Sequence, residues 1–413
     1  MAAREPRSTA TPRAAYIHVP FCRHRCGYCN FTLVAGRDDL IEAYLEALER
    51  ELSWLEQPRE VETLFFGGGT PTHLPPGQLA RLFEIVRQWH PLAVGGEFSV
   101  EANPIDLDQA RARVLANAGV TRISLGVQSF RAEKLALLER DHGAADIERA
   151  SAAARGFAQS VSLDLIFGTP GETVVDWRQD LESAIALAPD HVSTYGLTFE
   201  KGTSFWSRLT RGELARLEED VEWQMYEQAI DMLVAAGFEH YEVSNFARLP
   251  QSRSLTPSGS TAANFADEAA ATSRREGATF RCRHNETYWT GGQYFAAGPG
   301  AARFIAGRRE TNHRSTTTYI SRVLAGQSPV VESEQLDPED AARERLVFAL
   351  RRLEGIDVND FAAATGFIVE QLGGEELPRL IDLGLLNLTA GRLKLTRRGL
   401  LVSDAIWPEF LRA

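Results

Sequence analysis

The chain has 413 residues, 44% of them hydrophobic and 24% charged, with 33 glycines and 18 prolines. That length and balance suit two or three globular domains with a large core, and they exclude a wholly disordered or collagen-like chain. With 56 acidic against 44 basic residues the formal charge is −12, so the field of the whole molecule repels nucleic-acid backbones and anionic lipid.

Residues 1–14 carry Arg4, Arg7 and Arg13 among Ser, Thr and Ala, without the apolar core of a secretory signal, and read as a disordered leader. Six short apolar or β-branched runs then begin near Ala15, Thr63, Glu97, Arg122, Val161 and His191. Helical spacing separates them, as in Leu40, Tyr44, Leu45, Leu48, Leu52 and Leu55, then Leu79, Leu82, Phe83 and Val86. Strand–helix repetition with right-handed crossovers predicts an α/β fold, a partial (β/α)6 TIM-like barrel over residues 15–247. An open Rossmann-type sheet is the rival, but the glycines after the second strand read GGGTP rather than GxGxxG.

A long helix is predicted over Leu214 to Ala236. Residues 248–280, rich in Ser, Ala, Thr and Arg with almost no periodicity, read as a disordered insertion. Residues 281–333 would close the barrel, and residues 334–413 open with a helix over Ala341 to Leu353. Helix, small hairpin and helix follow, the order of an α+β winged-helix-like domain. Its 14 acidic against 10 basic residues argue against a nucleic-acid partner. No stretch approaches 18 consecutive apolar residues, so no integral membrane segment is predicted.

Three of the four cysteines, Cys22, Cys26 and Cys29, follow the first predicted strand, where a barrel gathers its active-site loops; Cys282 lies far away. So few thiols in so long a chain fit a reducing cytoplasm and a metal or redox site. Two readings of the trio stand level on spacing alone. With His18 or His24 it makes a four-ligand zinc knot; without them it makes a [4Fe–4S] cluster with one iron open.

Several segments carry a wider similarity. HVPFCRHRCGYCNF around the cysteines, GGGTP at Gly67 to Pro71, VEANP at Val100 to Pro104, GVQSF at Gly126 to Phe130 and DLIFGTP at Asp164 to Pro170 resemble, in order, the radical S-adenosylmethionine superfamily. The branch they resemble is that of the oxygen-independent coproporphyrinogen III oxidases, over roughly residues 16–304. The resemblance implies that the three cysteines hold [4Fe–4S], whose fourth iron chelates S-adenosylmethionine. It further implies nucleotide contacts at Tyr16, Tyr28, Gly68, Gly69, Thr70, Glu101, Gln128, Arg140, Asp164 and Gly196. Each motif also has a physical reading: bare glycine backbone admits a ligand closely, and polar Glu101, Gln128 and Asp164 on otherwise apolar strands need partners.

Within that branch the oxidases carry a fourth cysteine two residues after the third; Phe31 stands there in this chain. They also carry a longer leader than the 21 residues before Cys22. RCRHNETYW at Arg281 to Trp289 resembles the H-N-x-x-Y-W signature of the branch's haem chaperones. That similarity implies haem binding, with His284 the first candidate for iron, Cys282 the second, and Asn285, Tyr288 and Trp289 around the macrocycle. The expected function is a haem chaperone passing haem to an acceptor protein, with an electron donor if the nucleotide is cleaved. The oxidase is the alternative, and a zinc-stabilised interaction protein the second.

Overall fold

The computed structural model describes residues 11–249 and 279–412. Six parallel strands run in chain order: β1 (Ala14–Val19), β2 (Val61–Gly68), β3 (Leu92–Ala102), β4 (Arg122–Gln128), β5 (Ser160–Phe167) and β6 (His191–Gly196). A hairpin of β7 (Phe238–Glu242) and β8 (Asn245–Arg248) adds antiparallel to β6, and β9 (Phe295–Ala297) adds parallel to the open side of β1. The predicted partial barrel is therefore the observed fold, extended by one strand at one edge and two at the other.

Period-two patterning explains how this sheet serves a site. Ile17, Leu64, Phe66, Val100, Ile123, Leu125, Leu163 and Val192 point outward and are buried beneath the helices. Their alternates, among them Tyr16, Glu101, Ser124, Asp164, Ser193 and Tyr195, line the lumen. The barrel is thus apolar outside and polar inside, the inverse of a sheet with one solvated face.

Covering helices include α1 (Ile41–Ser53), α2 (Pro76–Trp89), α3 (Gln109–Ala118), α4 (Ala132–Leu137), α5 (Ala144–Arg155), α6 (Val174–Ala186), α7 (Ser204–Thr210) and α8 (Glu219–Ala235). In α1 the expected stripe of Tyr44, Leu45, Leu48 and Leu52 is buried. A capping box between Thr173 and Asp176 starts α6. The helix predicted from Leu214 begins only at Glu219. Gly212, at φ 73°, breaks the chain after α7, and Glu219, Asp220 and Glu222 supply a first turn that suits the helix dipole.

The haem-type motif forms α9 (Arg283–Trp289), and α10 (Thr316–Leu324) packs on α1. Buried Glu51 of α1 ties these late segments down, accepting hydrogen bonds from Gly298 N (2.9 Å), Asn312 Nδ2 (2.7 Å) and the Tyr319 hydroxyl (2.6 Å). The helix expected from Ala341 begins at Pro338, because Asp337 caps the amides of Glu339 and Asp340. Beyond it come short helices and a three-stranded antiparallel sheet of Ile356–Asp357, Leu386–Thr389 and Arg392–Leu395. Arg351 and Arg397 join this part to Glu242 and Asp231 of the barrel. Of the expected leader, residues 1–10 lie outside the described residues, as do residues 250–278 of the expected insertion.

Candidate functional site

At the C-terminal ends of the strands lies a cavity of about 610 Å³. Cys22, Cys26 and Cys29 line it, together with Tyr28, Gly68, Gly69, Thr70, Glu101, Gln128, Arg140, Asp164 and Gly196. Residues separated by up to 174 positions thus meet, because parallel strands bring all their C-terminal loops to one face. Tyr16 alone of the expected nucleotide contacts lies deeper, its hydroxyl 3.0 Å from His18 Nδ1.

The glycines are needed here for space. A Cβ on Gly69 would sit 2.8 Å from the carbonyl oxygens of Val19 and Phe21, the backbone leading into Cys22. Gly68, at φ 110°, would drive one to 2.4 Å from the His18 ring. The Gly68 amide instead donates to Glu101 Oε2 (3.0 Å). Burial lifts the Glu101 carboxyl to about 7, with Asp164 adding to the rise and the Gly68 amide opposing it. Burial also raises Asp164, although Ser124 Oγ donates to both its oxygens at 3.0 and 2.9 Å.

Around the sulfurs the structure holds unspent capacity. Arg140 donates through Nη2 to Gly126 O (2.9 Å) and through Nη1 to Cys26 Sγ (3.7 Å), while its buried Nε has no partner. Cys22 meets only the Thr70 hydroxyl, at 3.4 Å, and burial pushes its thiol up to about 12, with Cys29 and Cys26 adding. Thiolates here call for a cationic centre. Among the described residues no three Cys, His, Asp or Glu side chains are grouped for a single metal ion. Of the candidate fourth zinc ligands, His18 is held by Thr32 O and the Tyr16 hydroxyl, while His24 bonds Glu139 O and lies 3.7 Å from Cys26 Sγ. A cube is different, since each thiolate takes its own iron. The trio therefore fits [4Fe–4S] with one iron free.

The haem-type motif lies at the opposite end. Helix α9 stoppers the N-terminal floor of the barrel, with Cys282 and His284 each 1% exposed. His284 Nδ1 bonds Thr63 Oγ1 (2.9 Å), Nε2 bonds the Tyr288 hydroxyl (2.8 Å), and the ring stacks on Phe65. Burial lowers its pKa to about 3. Glu97 receives the His284 amide (3.1 Å), the Arg283 amide (3.0 Å) and the Cys282 thiol (3.7 Å). Trp289 packs edge-on to Tyr241, and Tyr288 to Tyr294; Asn285 lines the inner lumen.

Sequence reading missed Tyr195, which projects into the cavity two residues beyond Ser193. It also missed a buried triad behind Gln128: Lys134 Nζ lies 2.5 Å from Glu172 Oε1 and 3.0 Å from Asp180 Oδ2, and Asp180 accepts from Ser129 Oγ and Phe130 N. Alternating polarity in VSLDLIF and HVSTYG was the available signal for the lumen residues.

A three-cysteine loop at the mouth of a six-stranded parallel barrel is the architecture of a radical S-adenosylmethionine protein, and residues 16–184 match the Radical SAM superfamily. Residues 336–402 match the HemN C-terminal domain. The chain is 32% identical to the heme chaperone HemW of Bacillus subtilis, over 97% of this chain and 99% of the relative. It is 37% identical to that of Mycobacterium tuberculosis, over 96% and 94%. The solved structure of coproporphyrinogen III oxidase (HemN) from Escherichia coli, a Radical SAM enzyme, has the same fold, with TM-score 0.78 and 23% identity over 97% of this chain and 90% of that one. The chain belongs to the heme chaperone HemW family of that superfamily.

Proposed function

We propose that this protein is a haem chaperone that carries a [4Fe–4S] cluster and S-adenosylmethionine and hands haem to an acceptor protein. The observation that carries the reading is end-to-end similarity to the HemW relatives. Phe31, in place of a fourth cysteine and 64% exposed at the cavity rim, supports it against the oxidase. Cys22, Cys26 and Cys29 hold the cluster. Gly68, Gly69 and Thr70 lay backbone against the nucleotide, and Glu101 and Asp164 accept hydrogen bonds from its hydroxyl and amino groups. Arg140, Tyr28, Gln128, Tyr16 and Gly196 complete the enclosure. When bound and reduced, the cluster supplies the electron for reductive cleavage of the sulfonium.

His284 is our candidate for the haem iron, with Cys282 second. Both ring nitrogens of His284 are engaged, so ligation requires α9 to withdraw and break the bonds to Thr63 and Tyr288. All four thiols are free, which suits a cytoplasmic location. Among the described residues no helix is long and apolar enough to cross a membrane. The test is anaerobic reconstitution with iron, sulfide and haem quantified together, followed by haem transfer to a haem-free acceptor. Haem retained and passed on, with no protoporphyrinogen formed from coproporphyrinogen III, is the expected result; sustained porphyrinogen turnover overturns the reading in favour of the oxidase.

A further inference from the structure

Residues 14–37, which hold the cysteine trio, carry Arg23, Arg25 and Arg37 and not one acidic residue, in a chain whose formal charge is −12. Two of those arginines find carboxylates nearby: Arg23 meets Asp106 (2.9 Å) and Asp141 (3.3 Å), and Arg37 meets Asp39 (2.8 Å). Arg25 does not. Its Nη1 donates to Cys29 O and Phe31 O, both at 3.4 Å, and its Nη2 to Leu33 O (2.8 Å). Arg314, far along the chain, reaches the same loop, donating through Nη2 to Asn30 O (2.6 Å) and through Nε to Thr32 Oγ1 (3.1 Å). Among the described residues neither Arg25 nor Arg314 has a carboxylate oxygen within 4.0 Å.

The two cations thus grip one short stretch of loop, and Phe31 lies within it. Arg25, Asn30, Phe31 and Arg314 are all exposed, on the rim of the cavity that the three thiols line. The patch is also close to the sulfurs: burial raises the Cys29 thiol, and the Arg25 charge is among the groups that oppose the rise. An exposed aromatic beside arginines is the composition that anchors protein–protein contacts. Unpaired cations on an otherwise acidic molecule select a partner with a negative surface and steer it to this spot.

We propose that Arg25, Phe31 and Arg314 form the docking surface for an acidic one-electron carrier protein, which delivers its electron through the Cys29 loop. The proposal rests on the reading of Cys22, Cys26 and Cys29 as cluster ligands. In the transfer the reduced carrier loses one electron and the oxidised cluster gains it, with no bond made or broken. A small patch suits that role, since redox encounters are brief and sit at the low end of interface size.

The probe is an acidic plant-type [2Fe–2S] ferredoxin, added in its reduced form to the reconstituted full-length protein. Calorimetry reads binding, and freeze-quench electron paramagnetic resonance reads the arrival of the electron. Wild type is expected to bind the ferredoxin with an affinity that falls as salt is raised. Arg25→Gln and Arg314→Gln should each slow the transfer at low salt by at least ~3-fold, and Phe31→Ser should weaken binding while keeping the salt dependence. Reduced methyl viologen, too small to need a docking surface, should reduce wild type and all three variants at rates within about twofold.

No binding to loaded wild type, binding indifferent to salt, or undiminished transfer in both arginine variants overturns the proposal. So does slowing that appears equally with methyl viologen, which would make the arginines mere supports of the loop. Should Arg25→Gln fail to take up iron, Arg314→Gln and the salt titration of wild type reach the same decision. Iron and sulfide counted beforehand keep the two readings apart: a protein without a cluster fails the cluster assignment, whereas a loaded protein that ignores the ferredoxin fails this one.

Discussion

The two ends of the barrel lumen present similar chemical groups in opposite states. At the mouth, three thiols, a guanidinium nitrogen without a partner and three consecutive glycines leave room and bonding capacity for something absent from the chain itself. At the floor, the imidazole of His284 and the thiol of Cys282 are already matched by Thr63, Tyr288 and Glu97. Residue type suggests a ligand at both ends, but only the state of satisfaction separates a site ready to bind from one that must first be opened.

The largest effect should come from the mouth. Cys26→Ser removes one of the three sulfurs, and anaerobic reconstitution should then give little bound iron and sulfide, with the cluster's visible absorption lost. A full complement in that variant would contradict the assignment of the trio.

Next in size is the buried triad under Gln128. Lys134→Met leaves Glu172 and Asp180 in the interior without their cation, which should cost about 3–5 kcal/mol by denaturant unfolding. S-adenosylmethionine affinity should fall with it, because Ser129 and Phe130 hang from Asp180 beside Gln128. Unchanged stability would mean that the triad does not hold the mouth in shape.

Acid behaviour sharpens the contrast further. Glu101 is raised to about 7 chiefly by burial, so the native state keeps a proton that the unfolded chain releases near pH ~4.3. Its contribution to stability is present below about pH 4 and is lost as pH rises towards about 7. Nucleotide-free Glu101→Gln should therefore be more stable than wild type at about pH 8, the gap closing towards about pH 4. Thermal unfolding at the two pH values checks this, and a gap that widens in acid would reverse the sign.

The smallest expected effect belongs to the floor. Tyr288→Phe frees Nε2 of His284 at a cost of about 1 kcal/mol in the closed state. If α9 must open for iron to reach the imidazole, haem affinity followed at the Soret band should rise by up to about fivefold. Equal affinity in wild type, Tyr288→Phe and His284→Ala would remove His284 from haem binding.

The six parallel strands and the cysteine loop were legible in the sequence because both are local signals: short runs between helical stripes, and three thiols within one loop. The closure of the floor was not. His284 and Thr63 are 221 positions apart, and no periodicity reports such a contact. Nothing in α4 or α6 alone shows that Lys134 and Asp180 meet in a buried seam. Helix starts shifted by a few residues: at Glu219, where acidic residues form the first turn, and at Pro338, where the Asp337 cap outweighed the apolar repeat.

The parallel pairing of β9 with β1 has a consequence for biogenesis. Ala15 has to wait for Phe295, so on the ribosome the first strand emerges long before its outer neighbour exists. Until Phe295–Ala297 pair with it, held in place by the clasp of Gly298, Asn312 and Tyr319 on Glu51, that strand presents a row of unsatisfied amides and carbonyls to any passing chain. The nascent protein is therefore most vulnerable to aggregation during synthesis of its middle third, and a truncation ahead of β9 should leave an insoluble product.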